Sequence, residues 1–502
     1  MRTFLSRVVV GATLVLTLVA CPSTTGGVSS VTIDGGDRNV AVGSTRTLTA
    51  TVIATGGASG AVTWSSSDED VATIDATGTA LGGGVGETVI KATSVFDAAK
   101  SDTITLTVDL PGVARWTRQF GTGNADLVHG VATGANGSVY LVGDTFGALE
   151  GAHEGDSDAF VRAYDRTGGI LWTRQFGTNG EERARGVATD DDGNVYVTGY
   201  TSGALEGANA GNFDAYVRSY DANGVLRWGR QFGTSGEDVS RAVATDTSGN
   251  VYVAGSTSGA LVGTNEGGLD AFIRSYDANG VLRWTRQFGT SGTDAAAGVA
   301  TDANGDVYVA GDVQGLLEGV NSGAVDAFVR SYNSDGEIRW TRQFGTSSWD
   351  QAEGVATDAS GNVYVAGRTE GFLEGVGAGF EDAFVRAYDG GGVLRWTRQF
   401  GTGGVDVAYG VATDTDGRVY VTGYTTGTLE SASAGGFDAF VRALDGSGDL
   451  RWTRQFGTGG LDVAYGVATD ADGDVYVAGR TGGALEGSSA GGQDAFVRAY
   501  GP

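Results

Sequence analysis

Seven tryptophans recur every 56 residues along most of this chain, with no insertion or deletion between copies. They are Trp116, Trp172, Trp228, Trp284, Trp340, Trp396 and Trp452. A repeat of this length indicates a toroidal or solenoid array, in which each unit buries its faces only against its neighbours. A residue present in all seven copies is therefore expected to be structural, since a chemical site is normally needed once.

Each repeat contains four short runs with the composition of β-strands. In one copy they begin near Gly186, Asn194, Asp214 and Gly224, and they are rich in Val, Tyr, Phe, Thr and Trp between Gly, Asn or Asp residues. No apolar stripe at helical spacing interrupts them. We predict an all-β array of four-stranded antiparallel blades.

The two ends of the repeat region predict a closed ring. The last copy stops at residues 500–502, just after its third strand, whereas the first copy begins with an unaccompanied fourth strand at residues 113–120. That N-terminal strand can complete the last blade and remove two exposed sheet edges. We therefore predict a seven-bladed β-propeller over residues 112–502, made of seven 56-residue repeats with the last one truncated.

The segment from Gly354 to Gly367, Gly-Val-Ala-Thr-Asp…Gly-Asn-Val-Tyr-Val-Ala-Gly, carries a family resemblance. It resembles the seven-bladed β-propeller repeats of bacterial secreted proteins, and every copy shares it. The resemblance implies the fold and a secreted location, and no single activity. A weaker likeness to quinoprotein propellers lacks their vicinal cysteine pair, so we predict no cofactor.

The turns between strands contain Asp-x-Asp-Gly at residues 190–193, 414–417 and 470–473. Asp followed by Gly suits a tight hairpin, because it supplies a side-chain cap and a positive-φ position. The alternative is a calcium loop, but calcium needs six to eight oxygens and no Glu closes the loop at the expected distance. We predict plain turns and no metal site.

Several charged residues also recur in all seven copies. Arg118, Gln119, Asp158 and Arg162 represent them in the first copy. Because Arg118 lies two residues from Trp116 on a strand, we expect it to be buried between blades. A buried guanidinium is costly unless it is paired, so the repeated Asp residues are its expected partners.

Residues 28–109 do not share the repeat. Short alternating runs such as Val62-Thr-Trp-Ser-Ser-Ser-Asp68 and Val71-Ala-Thr-Ile-Asp75, followed by Gly78, predict a β-sandwich with Trp64 in its core. This segment resembles the group 2 bacterial immunoglobulin-like domain. The resemblance implies a module of surface proteins, acting as a stalk, which we favour, or as an adhesive domain.

The N-terminus has the pattern of an export signal. A basic start and a short apolar run over residues 1–20 are followed by Cys21, the only cysteine, and by a tether at residues 21–27. Leu18-Val-Ala-Cys21 resembles the bacterial lipobox, which implies acylation of Cys21 and a membrane as partner. We expect a lipid-anchored protein of the bacterial cell envelope, facing the periplasm or the exterior. The formal charge of −27 argues against nucleic acid.

Functional residues are expected where the copies differ, on the face that carries the long loops. Just before the innermost strand the copies have His129, Arg185, Arg241, Ala297, Glu353, Tyr409 and Tyr465, which we call the inner ring. Just after the second strand they have Asp144, Tyr200, Ser256, Asp312, Arg368, Tyr424 and Arg480, the outer ring. Tyr, Arg and acids in a concavity suit a carbohydrate or protein ligand, although drift at solvated positions would also produce such variation. Trp349 is an additional single-copy aromatic residue in this layer.

The sequence favours a non-catalytic binding or scaffold module over an enzyme. It has two histidines, both in the first copy, and no nucleophile elbow or phosphate loop. The alternative is a polysaccharide hydrolase or lyase at the mouth of the channel. The residues available for it are Glu353, Asp312 and Asp144 as carboxylates, or His129 assisted by Arg185 or Tyr465.

Overall fold

The computed structural model describes residues 26–34, 38–319, 321–375 and 377–502. These residues form two compact units, one ending at Val108 and the other running from Asp109 to Pro502. Within these ranges no helix is long and apolar enough to cross a membrane. The predicted signal segment and Cys21 lie outside the described residues.

The first unit is a small all-β domain. Its strands are β1 (Gly27–Ile33), β2 (Asn39–Ala41), β3 (Thr45–Thr47), β4 (Ala50–Thr55), β5 (Val62–Ser66), β6 (Ala72–Ile74), β7 (Thr79–Gly82), β8 (Gly86–Ser94) and β9 (Ser101–Asp109). The main sheet has the order β2-β9-β8-β5, and β1-β4 and β3-β7-β6 form smaller sheets. Alternate residues of β8 and β9, among them Ile90 and Leu106, enclose the core, and Trp64 packs half-buried against it. The predicted immunoglobulin-like character is confirmed.

The second unit contains the 56-residue repeats. Its strands are β10 (Ala114–Phe120), β11 (Asp126–Thr133), β12 (Val139–Thr145), β13 (Asp158–Tyr164), β14 (Ile170–Phe176), β15 (Glu182–Thr189), β16 (Val195–Thr201), β17 (Asp214–Tyr220), β18 (Leu226–Phe232), β19 (Asp238–Thr245), β20 (Val251–Thr257), β21 (Asp270–Tyr276), β22 (Leu282–Phe288), β23 (Asp294–Thr301), β24 (Val307–Val313), β25 (Asp326–Tyr332), β26 (Ile338–Phe344), β27 (Asp350–Thr357), β28 (Val363–Thr369), β29 (Asp382–Tyr388), β30 (Leu394–Phe400), β31 (Asp406–Thr413), β32 (Val419–Thr425), β33 (Asp438–Leu444), β34 (Leu450–Phe456), β35 (Val463–Thr469), β36 (Val475–Thr481) and β37 (Asp494–Tyr500).

These strands form seven four-stranded antiparallel sheets, one per blade. Blades one to six are consecutive groups of four from β11 to β34, and blade seven has the order β10-β37-β36-β35. Ala114 pairs with Tyr500 and Phe120 with Ala495, so the N-terminal strand supplies the outer strand of the last blade. The predicted seven-bladed propeller, closed by its first strand, is confirmed.

A ring of hydrogen bonds joins the innermost strands around the channel. Each innermost strand ends at a Thr whose hydroxyl donates to the carbonyl of the equivalent Thr in the preceding blade. Examples are Thr189 to Thr133 at 2.8 Å and Thr245 to Thr189 at 2.7 Å. Thr133 donates to Thr469 at 2.7 Å and closes the circle. The same bond therefore links each innermost strand to the next one around the channel.

The repeated tryptophan is the contact between neighbouring blades. Trp172 Nε1 donates to the Ala222 carbonyl, in a turn of the next blade, at 2.9 Å, and its ring packs against Tyr140 and Tyr220. Gly224 in that turn has φ +75° and lies so close to the indole that a Cβ there would be 2.7 Å from it. This close fit explains why the tryptophan and the turn glycine are both present in every copy.

The prediction for Arg118 was wrong. Its side chain is 37% exposed, and its guanidinium donates to the carbonyls of Gly168 and Thr117. The buried repeated arginine is instead Arg162, which lies over the Phe120 ring at 4.2 Å and donates to the Thr173 hydroxyl. Alternation on the strand places a side chain on one face, but it does not say how far a long arginine reaches toward solvent.

The repeated Asp and Gln residues bind each other. Gln175 Nε2 donates to Asp158 Oδ2 at 2.6 Å and to the Gly147 carbonyl at 3.0 Å. Its Oε1 accepts from the backbone N–H groups of Leu149 and Glu150. The single amide of Gln175 therefore provides hydrogen-bond partners for the backbone groups of the loop that follows the second strand. This explains why Gln recurs at that position.

The Asp-x-Asp-Gly turns use their own carboxylates. Asp190 Oδ1 accepts from the Asn194 N–H at 2.8 Å, and Oδ2 accepts from the Asn194 amide and the Tyr196 hydroxyl, each at 2.8 Å. Gly193 takes φ +80°. Both carboxylate oxygens of Asp190 thus cap the hairpin, as the plain-turn interpretation requires.

Candidate functional site

A β-bulge positions every residue of the inner ring. The pairing of β11 with β12 shifts between Val128 and Gly130, so His129 is the extra, unpaired residue. The same shift occurs at the equivalent place in all seven blades. A bulge turns its side chain out of the regular alternation. The inner ring therefore lies within the first strands, rather than before them as the sequence analysis expected, and it faces the channel.

The sequence signal for this bulge is a glycine inside each second strand. Gly143 lies inside β12, where a Cβ would be 1.8 Å from the Leu127 carbonyl oxygen. The equivalent glycine of the second blade, Gly199, has the same 1.8 Å approach to Arg183. A glycine in the interior of a strand often marks a bulge or a close backbone approach. Its recurrence in every copy indicates where the first strand departs from regular pairing.

The inner ring forms one cavity of about 570 Å³ at the channel mouth. Its lining comprises all seven inner-ring residues, His129, Arg185, Arg241, Ala297, Glu353, Tyr409 and Tyr465, together with Tyr200, Phe213, Glu237 and Val239. Blades one to three contribute cationic and polar groups to the inner ring, and blade four contributes the small Ala297. Blade five contributes a carboxylate, and blades six and seven contribute one phenol each. The cavity is thus asymmetric although the scaffold is nearly sevenfold.

Blades one and two contribute a connected polar chain. His129 Nε2 lies 2.5 Å from Asp144 Oδ1, and His129 Nδ1 lies 3.4 Å from Arg185 Nη1. Arg185 also reaches the Tyr200 hydroxyl at 3.5 Å. Because an arginine N–H only donates, Nδ1 is the acceptor, and the imidazole proton lies on Nε2 facing Asp144.

The protonation states of His129 and Asp144 follow from burial and from the neighbouring charges. Burial lowers the pKa of His129, and the neighbouring Arg185 and Arg183 lower it further, against the opposing effect of Asp144. Burial alone would raise the pKa of Asp144, but His129, Arg183 and Arg185 outweigh it, so the pKa of Asp144 is lowered. At neutral pH the pair is a neutral imidazole bonded to a carboxylate, and both ring nitrogens are engaged.

The acidic part of the cavity is centred on blade five. Glu353 Oε1 lies 3.7 Å from Arg368 Nε, and burial raises the pKa of Glu353. Burial and the charge of Glu353 raise the pKa of Asp312 to about 7, although Arg241 and Arg368 act in the opposite direction. Among the described residues, Arg241 has no hydrogen bond or ion pair within bonding distance, and it is exposed to the cavity.

Blades six and seven contribute an aromatic wall. The rings of Tyr409 and Tyr465 lie 5.1 Å apart, Tyr465 packs against His129 at 5.5 Å, and Arg480 lies over Tyr465 at 5.6 Å. Burial raises the pKa of Tyr409 and of Tyr465, so both stay phenols at neutral pH. The wall offers flat apolar faces with hydroxyl groups at their ends.

The outer ring does not form a second mouth. Its residues lie inside the second strands, rather than after them, and only Tyr200 lines the central cavity. Asp144, Ser256 and Tyr424 are buried. Arg368 lines a separate pocket on blade five. Arg480 bonds Gln493 at 3.0 Å. The outer ring thus supports the inner one, as Asp144 does for His129.

Comparison with known proteins agrees with both units. The beta-propeller repeat family matches residues 171–205, 227–261, 283–317, 339–372, 395–429 and 451–485, and the bacterial Ig-like domain (group 2) matches residues 27–109. The chain is 26% identical over 410 residues to the regulatory protein FlaEY of Caulobacter vibrioides, covering 70% of this chain and 42% of that protein. It spans less than half the length of each curated relative it matches.

Solved propellers show lower similarity. The WD40 domain of Neurospora crassa Pan2 is 12% identical with a TM-score of 0.45, covering 77% of this chain and 96% of that domain. An ulvan lyase of polysaccharide lyase family PL25 is 12% identical with a TM-score of 0.41, covering 76% of this chain and 96% of the lyase. The chain therefore contains six matched beta-propeller repeats and, before them, a group 2 bacterial immunoglobulin-like domain.

Proposed function

We propose that the propeller is a non-catalytic recognition module that binds a polar, saccharide-type ligand in the central cavity. One observation carries the proposal. Seven positions that differ between otherwise near-identical repeats all line one cavity of about 570 Å³, which is a usual size for a ligand site. Because the seven bulge positions are equivalent, the closed ring itself brings them together, and the support for a ligand site is that their side chains differ from blade to blade while the scaffold around them repeats.

The composition of the wall supports a saccharide. The Tyr409 and Tyr465 rings offer flat faces for the C–H faces of a sugar, and aromatic residues and arginine are the usual anchors of binding sites. Arg241 and Glu353 supply a donor and an acceptor for ligand hydroxyl or carboxylate groups. A protein loop with polar side chains could make some of the same contacts, so a protein partner is the competing ligand class.

The test is a glycan and envelope-polymer array probed with the full chain and with the quadruple variant Arg185→Ala, Arg241→Ala, Tyr409→Ala, Tyr465→Ala. A matched control, Arg395→Ala with Arg451→Ala, removes two exposed arginines from outer strands. We expect binding by the full chain and the control, and loss of binding in the quadruple variant without turnover of the ligand.

The outcomes separate the alternatives. Equal binding by the full chain and the quadruple variant would exclude the cavity as the site. Absence of any bound polymer would exclude saccharide recognition and favour a scaffold that holds protein partners. Shortening or modification of a bound polymer would favour catalysis.

A second candidate function, hydrolysis of a glycosidic bond, rests on Asp312. A carboxyl group with a pKa near 7 beside a second acid is suited to general-acid chemistry. Asp312 does not line the cavity, however, whereas Glu353 does. Both nitrogens of His129 are engaged, which gives less support to a lyase base. Release of reducing ends that is abolished by Asp312→Asn and by Glu353→Gln would establish the hydrolase.

We also propose that the chain is a lipoprotein of the bacterial cell envelope anchored through Cys21. The support is the lipobox-like Leu18-Val-Ala-Cys21 segment and the single cysteine. The immunoglobulin-like unit would then act as a stalk or as an adhesive module. Metabolic labelling with a fatty acid, compared between the natural chain and Cys21→Ser, tests this. We expect label and membrane association only for the natural chain, and equal labelling would exclude the anchor.

A further inference from the structure

Blade five carries several side chains near its loop end that no other blade has at the same positions. Trp349, Gln351, Glu370 and Glu381 have no equivalent of the same residue type in any other copy. The counterparts of Trp349, for example, are Ala125, Glu181, Glu237, Thr293, Val405 and Leu461. The scaffold residues of blade five are unchanged, so the difference is confined to side chains at one end of one blade.

These four residues lie together. They line a pocket of about 230 Å³ with Arg368 and Thr369. The side chain of Trp349 is 49% exposed, and across the described ranges it takes part in no hydrogen bond, ion pair or ring contact. The repeated tryptophans, by contrast, each pack against one or two tyrosines. Trp349 therefore has none of the contacts that hold the repeated tryptophans, and its half-exposed indole is available to a ligand in the pocket, where tryptophan is a favoured anchor.

The open polar groups of the pocket are mostly carboxylate acceptors. Arg368 is already engaged, because Nε donates to Gln351 Oε1 at 2.9 Å and its guanidinium lies 3.6 Å from Glu381 and 3.7 Å from Glu353. Glu370 is exposed. The side chains left open to a ligand are thus carboxylates, which accept hydrogen bonds and repel anions, and the Gln351 amide nitrogen, which donates.

The backbone at the rim is not open to an extended peptide. The Glu370 N–H donates to the Trp349 carbonyl at 2.9 Å, and residue 349 also pairs with Val325 in a short bridge. Peptides that add a strand need a free sheet edge. What the pocket offers is an aromatic platform with side-chain acceptors around it.

We propose that this pocket is a subsite for one uncharged pyranose ring of an oligosaccharide whose other units occupy the central cavity. A pyranose has an apolar C–H face that packs on an indole and hydroxyl donors that bond carboxylates. The two cavities adjoin, since Glu353 lines the central one and Arg368, 3.7 Å from it, lines the pocket. The subsite rests on the proposed saccharide recognition and adds the kind of unit bound at blade five and the side of the central cavity toward which the oligosaccharide extends.

The test uses calorimetric titration of the full chain with neutral gluco-, galacto- and manno-oligosaccharides of increasing length. The variants are Trp349→Ala, Trp349→Phe and the matched control Leu461→Ala, which removes an exposed side chain (39%) at the equivalent position of blade seven. For ligands long enough to reach the pocket, Trp349→Ala should weaken binding about tenfold or more. The shortest ligands that bind should be unaffected, Trp349→Phe should retain most of the affinity, and Leu461→Ala should match the natural chain.

The outcomes distinguish this subsite from the central site. If Trp349→Ala binds all lengths normally while Arg241→Ala with Tyr409→Ala binds none, the subsite is wrong and the central recognition stands. If the natural chain binds no neutral oligosaccharide, the subsite is wrong, and binding of acidic saccharides alone would leave the central site standing. If hexalysine binds instead and Trp349→Ala abolishes it, the pocket is a cationic-peptide site.

Discussion

Two residues of the propeller, the repeated Gln287 and the inner-ring Arg241, differ in how fully their polar groups are used. Gln287, a repeated residue, makes four hydrogen bonds, to the Gly259 carbonyl, Asp270 and the N–H groups of Leu261 and Val262. The exposed inner-ring Arg241 has no bonding partner among the described residues. The bonds of Gln287 hold the scaffold together, whereas the guanidinium of Arg241 is available for a ligand.

This difference explains why the copies are so alike and where they are free to differ. Each blade contacts its neighbour through the same indole, the same turn glycine and the same Thr–Thr bond, so a change in one copy breaks a fit that all the others share. The bulge residue has no partner in the backbone pairing of the adjacent strand. Its side chain can therefore vary without breaking the contacts between blades, which makes this position suited to a binding surface.

The largest effect should come from removing a repeated tryptophan. Trp284→Ala deletes a ring packed against Tyr252 and Tyr332 and a 2.9 Å bond to the Ser334 carbonyl. We expect a loss of about 3–5 kcal/mol in the free energy of unfolding. Denaturant unfolding followed by circular dichroism measures it, with Trp284→Phe as an intermediate control. A loss below about 1 kcal/mol would contradict the structural role of the repeat.

A smaller effect is expected from the repeated glutamine. Gln287→Ala leaves the Asp270 carboxylate and the Leu261 N–H without their partner, which should cost about 1–3 kcal/mol. Gln231→Ala removes the same set of bonds one blade earlier. The two variants should therefore lose equal stability within about 0.5 kcal/mol. Clearly unequal losses would show that the blades are not energetically equivalent.

A third prediction concerns pH. Because the folded state raises the pKa of Asp312 to about 7, this group stabilises the protein fully below its ordinary pKa of 3.8, and the contribution is lost as pH rises through 7. Asp312→Asn should remove that part of the pH dependence and stabilise the protein at pH 8. The expected gain is only about 1–2 kcal/mol, because Asp312 is partly exposed and solvent screens its charge. Thermal melts from pH 4 to 8 measure it. Parallel curves for the two proteins would show that the pKa of Asp312 is not raised.

The smallest effect on stability is expected in the inner ring. Arg241→Ala should change the free energy of unfolding by less than about 0.5 kcal/mol, because the side chain is exposed and has no bond to lose within the described ranges. The same denaturant unfolding measures it, with exposed Arg395→Ala as the control. A loss comparable to that of Gln287→Ala would place Arg241 in the scaffold.

The fold was readable from the sequence because its determinants repeat. Strand runs, turn glycines and the spare strand at residues 113–120 each point to the same closed ring, and the structure agrees. The position of the inner ring was misplaced, since strand composition does not reveal a bulge and only the interior glycine at Gly143 marks it. The engaged state of Arg368 and the pocket at Trp349 depend on distances between strands, which a single sequence does not contain.

The most direct test measures binding and stability together for a pair of variants. Arg241→Ala with Tyr409→Ala alters the inner ring, and Gln287→Ala alters the scaffold. With the best saccharide from the array, titrated below both melting temperatures, the first variant should lose binding about 100-fold or more, because it removes two anchors, while Arg241 carries little of the stability. The second should melt earlier and bind normally. Unimpaired binding by the inner-ring variant, or loss of binding in the scaffold variant alone, would contradict the assignment of recognition to the bulge residues.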